Sequence, residues 1–154
     1  MPIKRLTDTL SVAPQISEPD LAALAAQGFR SVINNRPDGE AGDQPASAIL
    51  AAAAARAGLV YRDIPVISGQ LQDAQVQAFG AALAELPAPT LAFCRTGTRS
   101  TTLWALDAVR ARPVADVVQT VAVAGYDLDA LRPRLEQARA AVVPPMSPRQ
   151  ARGS

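Results

Sequence analysis

The sequence predicts an α/β fold in which a parallel sheet lies between two layers of helices. Short apolar runs rich in β-branched residues alternate with helical segments of about ten residues, which is typical of βαβ units. A sheet of that kind is covered by helices on both faces. The chain has 154 residues and nearly half of them are apolar, enough for one domain with a core of its own.

The elements follow in order from local patterns. Residues 3–13 are rich in β-formers and predict an opening strand or hairpin. A helix begins at the cap Ser17 and ends at Gly28. The later strands are predicted at 29–35, 59–66 and 90–93. The later helices are predicted at 45–57, at 72–86, from near Ser100 onward, at 114–125 and at 129–140.

One domain over residues 1–141 accounts for all of these elements. Residues 142–154 contain several prolines and no amphipathic pattern, so we expect a disordered tail there. The chain starts without an apolar leader, and no stretch of about 18 apolar residues suggests a membrane span. We therefore expect a cytoplasmic protein that does not associate with a membrane.

Composition excludes several kinds of chemistry. The 15 basic residues nearly balance the 14 acidic ones, so no long-range field favours a nucleic-acid partner. There is no histidine, which excludes a Ser-His-Asp triad, a Cys-His dyad and the common zinc sites. With a single cysteine there is also no thiolate cluster. We expect neither a metal nor a cofactor.

The segment LAFCRTGTRS contains that cysteine, Cys94, at the carboxyl end of a predicted strand, where open α/β sheets bind ligands. The N–H groups of residues 95–100 and the start of the next helix would surround a small anion and favour a thiolate. Gly97 allows the turn, and Arg99 offers two parallel donors to an oxyanion. We predict Cys94 and Arg99 as catalytic residues. The predicted substrate-binding residues are Arg95, Thr96, Gly97, Thr98 and Ser100, the last one also as a donor to the sulfur.

The alternative is a structural cysteine, since a lone buried cysteine is usually a small apolar core residue. Two arginines, a glycine and a helix start follow Cys94 within six residues, and this combination favours a functional thiolate.

Two resemblances extend this hypothesis. The motif CRTGTRS resembles the active-site loop of single-domain rhodaneses. The segment APQISEPDLAALAAQGFRSVINNRPDGE resembles the phosphatase-like domain of the beta-lactamase hydrolase-like proteins, and this similarity extends over about residues 3–112. It implies the fold of dual-specificity phosphatases. Members of that family have also been classed as sulfur transferases, often fused or linked to a persulfide dioxygenase, which is therefore a possible partner.

Loop length distinguishes the two activities in our interpretation. Dual-specificity phosphatases share a His-Cys-x5-Arg motif. Here Phe93 precedes Cys94, and four residues instead of five separate Cys94 from Arg99. A phosphatase also needs a general acid, and the segment ISGQLQD has Ser68 near the expected position. We therefore expect a rhodanese-type sulfurtransferase. It would move sulfane sulfur from thiosulfate or a persulfide through a Cys94 persulfide to a thiol such as glutathione.

Two other functions stay open. The first is a phosphatase that works through a Cys94 phosphocysteine. The second is a sulfur carrier or anion sensor that acts as the partner domain of a persulfide dioxygenase.

The segment RPDGE follows a strand and is predicted at the same edge of the sheet. We expect Arg36 to assist anion binding, and Asp38 or Glu40 to orient a loop arginine or to serve as a displaced acid. The alternative is a plain turn over residues 37–39 with solvated charges.

Overall fold

The computed structural model of the protein describes residues 2–142, so most of the predicted tail lies outside the described residues. Five strands are present in this range: β1 (Lys4–Arg5), β2 (Leu10–Ala13), β3 (Ser31–Asn34), β4 (Val60–Asp63) and β5 (Thr90–Phe93). The α-helices of the same range are α1 (Glu18–Ala26), α2 (Ser47–Arg56), α3 (Asp73–Glu85), α4 (Thr98–Ala108), α5 (Val114–Val123) and α6 (Arg132–Val142). A 3-10 turn at Asp129–Leu131 precedes α6.

The strands form one sheet in the order β1-β2-β5-β3-β4. All neighbours are parallel except β1, which pairs antiparallel with β2 as a hairpin. The predicted α/β fold is confirmed, with the difference that the opening hairpin makes the sheet mixed. β5 lies in the centre between β2 and β3, so the residue that follows it reaches the middle of the carboxyl edge.

Alternate strand residues face two separate cores. Val32, Leu91 and Phe93 belong to the core that α1 and α2 cover. Ile33 and Ala92 face the other side and pack with helices α3 to α6. Because successive side chains of a strand point to opposite faces, this alternation buries β3 and β5 completely. The carboxyl ends of these two strands are therefore held from both sides.

Helix starts agree with the sequence at α1 and differ at α4. At α1 the carboxylate of Asp20 accepts a hydrogen bond from the backbone N–H of Ser17 at 2.8 Å, as a capping box requires. α4 begins at Thr98, two residues earlier than predicted, because Gly97 with φ +91° serves as its N-cap. The Gly97 carbonyl accepts hydrogen bonds from both the N–H and the hydroxyl of Thr101.

No helix within residues 2–142 is both long and apolar enough to cross a membrane.

Candidate active site

The cysteine loop is anchored on both sides where it leaves β5. The N–H of Cys94 donates to the carbonyl of Ala13 at 3.4 Å, and the N–H of Gln15 donates to the carbonyl of Arg95 at 3.2 Å. On the other side, the N–H of Asn35 donates to the carbonyl of Phe93 at 2.8 Å. The segments that follow β2 and β3 therefore fix the position of the cysteine.

The loop directs backbone donors at the sulfur. The N–H of Gly97 donates to Cys94 Sγ with an N···S distance of 3.1 Å. The first N–H groups of a helix have no intrahelical acceptor and carry part of the positive end of the helix dipole, so the start of α4 adds to this field. Cys94 itself is fully buried.

The rim of the loop is formed by Arg95 and Thr96, both of which are exposed. The hydroxyl of Thr96 donates to the hydroxyl of Thr98 at 3.0 Å, so the two threonines bond to each other in this structure. Gly97 is buried beneath them. Of the five predicted substrate-binding residues, Gly97 contacts the sulfur, whereas Arg95, Thr96 and Thr98 are exposed at the surface.

Ser100 lies elsewhere than expected. Its hydroxyl donates to Oδ1 of Asn35 at 2.8 Å, and the Asn35 amide donates in turn to the carbonyl of Ile64 at 2.9 Å. Ser100 and Asn35 are both fully buried. Ser100 therefore ties α4 to the ends of β3 and β4, and our expectation that its hydroxyl bonds the sulfur is wrong. Asn35 was not predicted from the sequence, although the polar pair Asn34 and Asn35 at the end of a buried strand could have indicated it.

Arg99 is held by a carboxylate from the other loop. Its Nη1 donates to Glu40 Oε2 at 2.7 Å and to the carbonyl of Val66 at 2.8 Å, and its Nη2 donates to Glu40 Oε1 at 2.8 Å. These bonds use three of the five N–H groups of a guanidinium. These bonds leave the Nε–H and the second Nη2–H, which share one edge, and an edge of this kind can bind two oxygens of a phosphate. Cys94 also interacts with the guanidinium through a hydrogen bond. The hydrogen bonds to Glu40 and the charge of Cys94 raise the pKa of Arg99, although burial opposes them.

Arg36 holds the same carboxylate from behind. It is buried, with Nε donating to Glu40 Oε1 at 2.9 Å and Nη1 donating to Gln15 Oε1 at 3.1 Å. The hydrogen bond from Arg99 is the main reason that the pKa of Glu40 is lowered to about 2; burial opposes it and the bond from Arg36 assists. Glu40 is therefore ionised at neutral pH. It orients Arg99, as one of our two hypotheses for it expects, and it is not a proton donor.

Asp38 does not have the predicted role. Its Oδ1 accepts a hydrogen bond from the N–H of Ser47 at 2.8 Å, which satisfies a backbone donor in the first turn of α2. The expectation that Asp38 orients a loop arginine is wrong because Glu40, two residues later, takes that place. Asp38 instead caps the first turn of α2.

Asp63 lies too far away to serve as the acid. It pairs in register with Asn34, which pairs with Phe93 on the other side, so β3 separates Asp63 from β5. Two strand spacings amount to about 10 Å. Burial raises the pKa of Asp63, a hydrogen bond from Ser47 lowers it, and the charge of Asp38 raises it. None of Asp38, Glu40 and Asp63 is placed to protonate a leaving group at Cys94. Within residues 2–142, no cluster of three potential metal-ligating side chains is found either.

The sequence of residues 2–111 matches the family described as beta-lactamase hydrolase-like protein, phosphatase-like domain. The chain belongs to this family. A beta-lactamase hydrolase-like protein from Agrobacterium fabrum is 39% identical over 140 residues, which covers 90% of this chain and 32% of that protein. The chain thus spans about a third of the length of the curated relatives it matches.

Solved structures show the same similarity. The structure of a candidate phosphatase from Neisseria meningitidis has a TM-score of 0.82 and 33% identity, and the match covers 90% of this chain and 99% of that one. The phosphatase fold extends to more distant proteins such as TpbA from P. aeruginosa, solved in complex with pTyr. That match has a TM-score of 0.62 and 17% identity, and it covers 94% of this chain and 91% of that one.

These findings overturn our sulfurtransferase hypothesis. The family and the Neisseria structure favour a phosphatase over a sulfurtransferase, and the resemblance of the loop to rhodaneses is not confirmed. The count of residues between Cys94 and Arg99 misled us for a physical reason. Glu40 and the Val66 carbonyl determine where the Arg99 guanidinium lies, and neither belongs to the loop. A spacing shorter by one residue therefore does not settle which anion the loop accepts.

Proposed function

We propose that this domain is a cysteine-dependent phosphatase that hydrolyses phosphate monoesters through a phosphocysteine on Cys94. The observation that carries the proposal is the pairing of Cys94 Sγ with the N–H of Gly97 at the start of α4, beside an arginine that keeps two donors for an anion. Membership of the phosphatase-like family and the similarity to the Neisseria structure support it.

In the first step, the Cys94 thiolate attacks phosphorus. The S–P bond forms as the bond from phosphorus to the ester oxygen breaks, and the electron pair leaves with that oxygen. The three remaining phosphoryl oxygens carry the charge that develops. The Nε–H and Nη2–H of Arg99 and the N–H groups at the start of α4 would bind these oxygens, because such preorganised donors stabilise charge without rearranging.

In the second step, water attacks the phosphocysteine. The new P–O bond forms as the S–P bond breaks, and the electron pair of the S–P bond returns to sulfur as the thiolate. The released inorganic phosphate carries the protons of the water and gives the excess proton to solvent. Glu40 takes no proton in either step because it stays ionised between Arg99 and Arg36. Its role is to hold Arg99 in place through the reaction.

The nature of the leaving group should matter more than usual. Asp38, Glu40 and Asp63 are not placed to donate a proton, so in our proposal the leaving oxygen departs as an anion or takes its proton from solvent. A stable phenolate departs easily and an alkoxide does not. We therefore expect aryl phosphates to be hydrolysed faster than alkyl phosphates.

The test is phosphate release from p-nitrophenyl phosphate, phenyl phosphate and an alkyl phosphate, with Cys94→Ser as the matched control. We expect turnover by the wild type, in that order of rates, and a loss on the order of 10³-fold or more in Cys94→Ser. Equal phosphate release by both proteins, or none by the wild type, would refute the proposal.

The experiment concerns this domain alone, because the curated relatives are about three times longer. The boundaries of the domain, the cytoplasmic location and the partnership with a persulfide dioxygenase stay predictions.

A further inference from the structure

Tyr126 lies against the cysteine loop and takes no part in the proposed reaction. It follows α5, whose last residue is Val123, and Gly125 with φ +101° lies directly before it. The N–H of Tyr126 donates to the carbonyl of Val121, five residues back, at 2.8 Å. This is the hydrogen bond of a Schellman ending, which fixes the backbone of the residue after the glycine. The end of α5 therefore presents the half-buried Tyr126 ring to the loop from a defined position.

The hydroxyl of Tyr126 contacts the peptide group that also bonds the sulfur. It donates to the carbonyl oxygen of Thr96 at 3.3 Å. That carbonyl and the N–H of Gly97 belong to one planar trans peptide, in which they point in opposite directions. With the carbonyl held toward Tyr126, the N–H points at Cys94 Sγ, 3.1 Å away. One hydrogen bond thus sets the direction of the other.

The packing at Gly97 is a second, independent observation. A Cβ at this position would lie 2.2 Å from the hydroxyl oxygen and 3.1 Å from Cζ of Tyr126. The φ of +91° also disfavours any side chain there. Tyr126 therefore occupies the space next to Gly97, while Thr101 donates its hydroxyl to the Gly97 carbonyl on the other side. The Gly97 carbonyl belongs to the next peptide, between Gly97 and Thr98, so both peptides that flank Gly97 are held by hydrogen bonds.

We infer that Tyr126 is a positioning residue for the nucleophile: its hydroxyl fixes the plane of the peptide between Thr96 and Gly97, which keeps an N–H directed at the Cys94 sulfur and stabilises the thiolate. This inference depends on the proposed function only in that the thiolate serves there as the nucleophile. The placement of the N–H and its effect on ionisation are independent of the substrate.

Tyr126 donates this bond throughout the neutral range. Burial raises its pKa first, the nearby charge of Cys94 raises it further, and Thr101 lowers it. The other charged groups around Cys94 are Arg99 from α4 and Arg95 from the loop, with Glu40 and Arg36 behind Arg99. Removing the Tyr126 hydroxyl changes none of these charges at neutral pH. A change in the titration of the thiol can therefore be assigned to the hydrogen bond.

The test is the ultraviolet absorbance of the Cys94 thiolate as a function of pH in wild type and in Tyr126→Phe. Each protein is referenced to the same protein carrying Cys94→Ser, which subtracts the tyrosines. The chain suits this experiment because it has one cysteine and no histidine. At 3.3 Å the bond is long for an O–H donor, so we expect a modest effect. The midpoint should move up by about 0.5 pH unit, which is roughly a threefold change in the ionisation equilibrium.

Tyr61→Phe is the matched control, because it removes a hydrogen-bonded tyrosine hydroxyl that does not contact the cysteine loop. The partners of the Tyr61 hydroxyl are the side chains of Asn34 and Ser47. It should leave the midpoint unchanged. An unchanged midpoint in Tyr126→Phe, or an equal shift in Tyr61→Phe, would overturn the inference. Neither readout requires phosphatase turnover, so a protein that hydrolyses no phosphate ester would refute the proposed function and leave this test intact.

Gly97→Ala supplies a second variant that does not depend on the folding of Tyr126→Phe. Its Cβ displaces the Tyr126 hydroxyl, so the midpoint should rise by at least as much as in Tyr126→Phe. In the double variant the midpoint should shift by less than the sum of the two single-variant shifts, because both substitutions disturb the same peptide. Fully additive shifts, or no shift in Gly97→Ala, would contradict the role of Tyr126.

Discussion

Two loops meet at the carboxyl edge of the sheet, and they contribute to the site in different ways. The loop over residues 94–97 follows β5 and acts through its backbone, with the N–H of Gly97 on the sulfur. The loop over residues 35–46 follows β3 and acts through a side chain, since the Glu40 carboxylate holds Arg99. One loop places the nucleophile, and the other places the cation beside it.

This difference shows why one half of the site is visible in the sequence. The backbone contribution is local, because Cys94, Gly97 and the start of α4 are neighbours along the chain. The side-chain contribution joins Glu40 and Arg99, which are 59 residues apart. Only the order of the strands brings these two residues together.

The largest effect should come from the residue that joins the two loops. In Arg99→Lys the charge is kept, but an ammonium cannot bond Glu40 and two phosphate oxygens at once in a fixed plane. We expect kcat/KM for p-nitrophenyl phosphate to fall by about 10²-fold or more, with the melting temperature changed only slightly. A loss of less than about threefold would mean that charge alone suffices and that the bidentate geometry is irrelevant.

Substitution of the two carboxylates in the loop after β3, Glu40 and Asp38, should have a smaller effect, and the two variants should differ from each other. Glu40→Gln removes the charge between Arg36 and Arg99, so we expect kcat/KM to fall about tenfold and the free energy of unfolding to fall by about 2 kcal/mol. Asp38→Asn is the control, since its amide oxygen can still accept the bond from the Ser47 N–H. It should keep kcat/KM within about twofold. Steady-state kinetics and denaturant unfolding measure both, and equal losses in the two variants would contradict the assignment.

The smallest effect concerns pH. The pKa of Glu40 is about 2 in the folded protein and near 4.5 without its partners. Because the folded value is the lower one, the stability from this carboxylate is fully present above about pH 4.5 and is lost as the pH falls toward 2.

The stability difference between wild type and Glu40→Gln should therefore be constant from about pH 8 to 5 and shrink below that. Urea unfolding at each pH measures the difference. If it already declines between pH 7 and 5, the arginines do not hold Glu40 as the structure indicates.

Most of the fold could be predicted because its elements are specified locally. Short apolar runs marked β3 and β5, and the glycines after α1 and α5 marked helix ends. The start of α4 was placed two residues late because Ser100 has the chemistry of an N-cap, whereas its burial against Asn35 is a tertiary effect. The antiparallel edge strand β1 was specified only as a strand or hairpin, since pairing direction depends on the connection.

The site could be predicted only in part for the same reason. Cys94, Gly97 and Arg99 lie together in the sequence, and the structure brings them together. Glu40 was one of two candidate partners for an arginine. The sequence could not distinguish it from Asp38, because both carboxylates lie in the same loop segment, two residues apart. Tyr126 was missed altogether, since a tyrosine after a helix carries no local sign that it contacts a loop 30 residues earlier. The wrong choice of sulfur over phosphorus came from treating loop length as decisive.

The most direct test of the central claim is to look for the phosphocysteine. Wild-type protein is mixed with p-nitrophenyl phosphate, denatured within the first turnovers and analysed by mass spectrometry, with Cys94→Ser treated in parallel. We expect one phosphoryl group on the peptide that contains Cys94, formed before phosphate is released and absent from the variant. Steady release of phosphate from a protein whose Cys94 peptide never carries a phosphoryl group would contradict it.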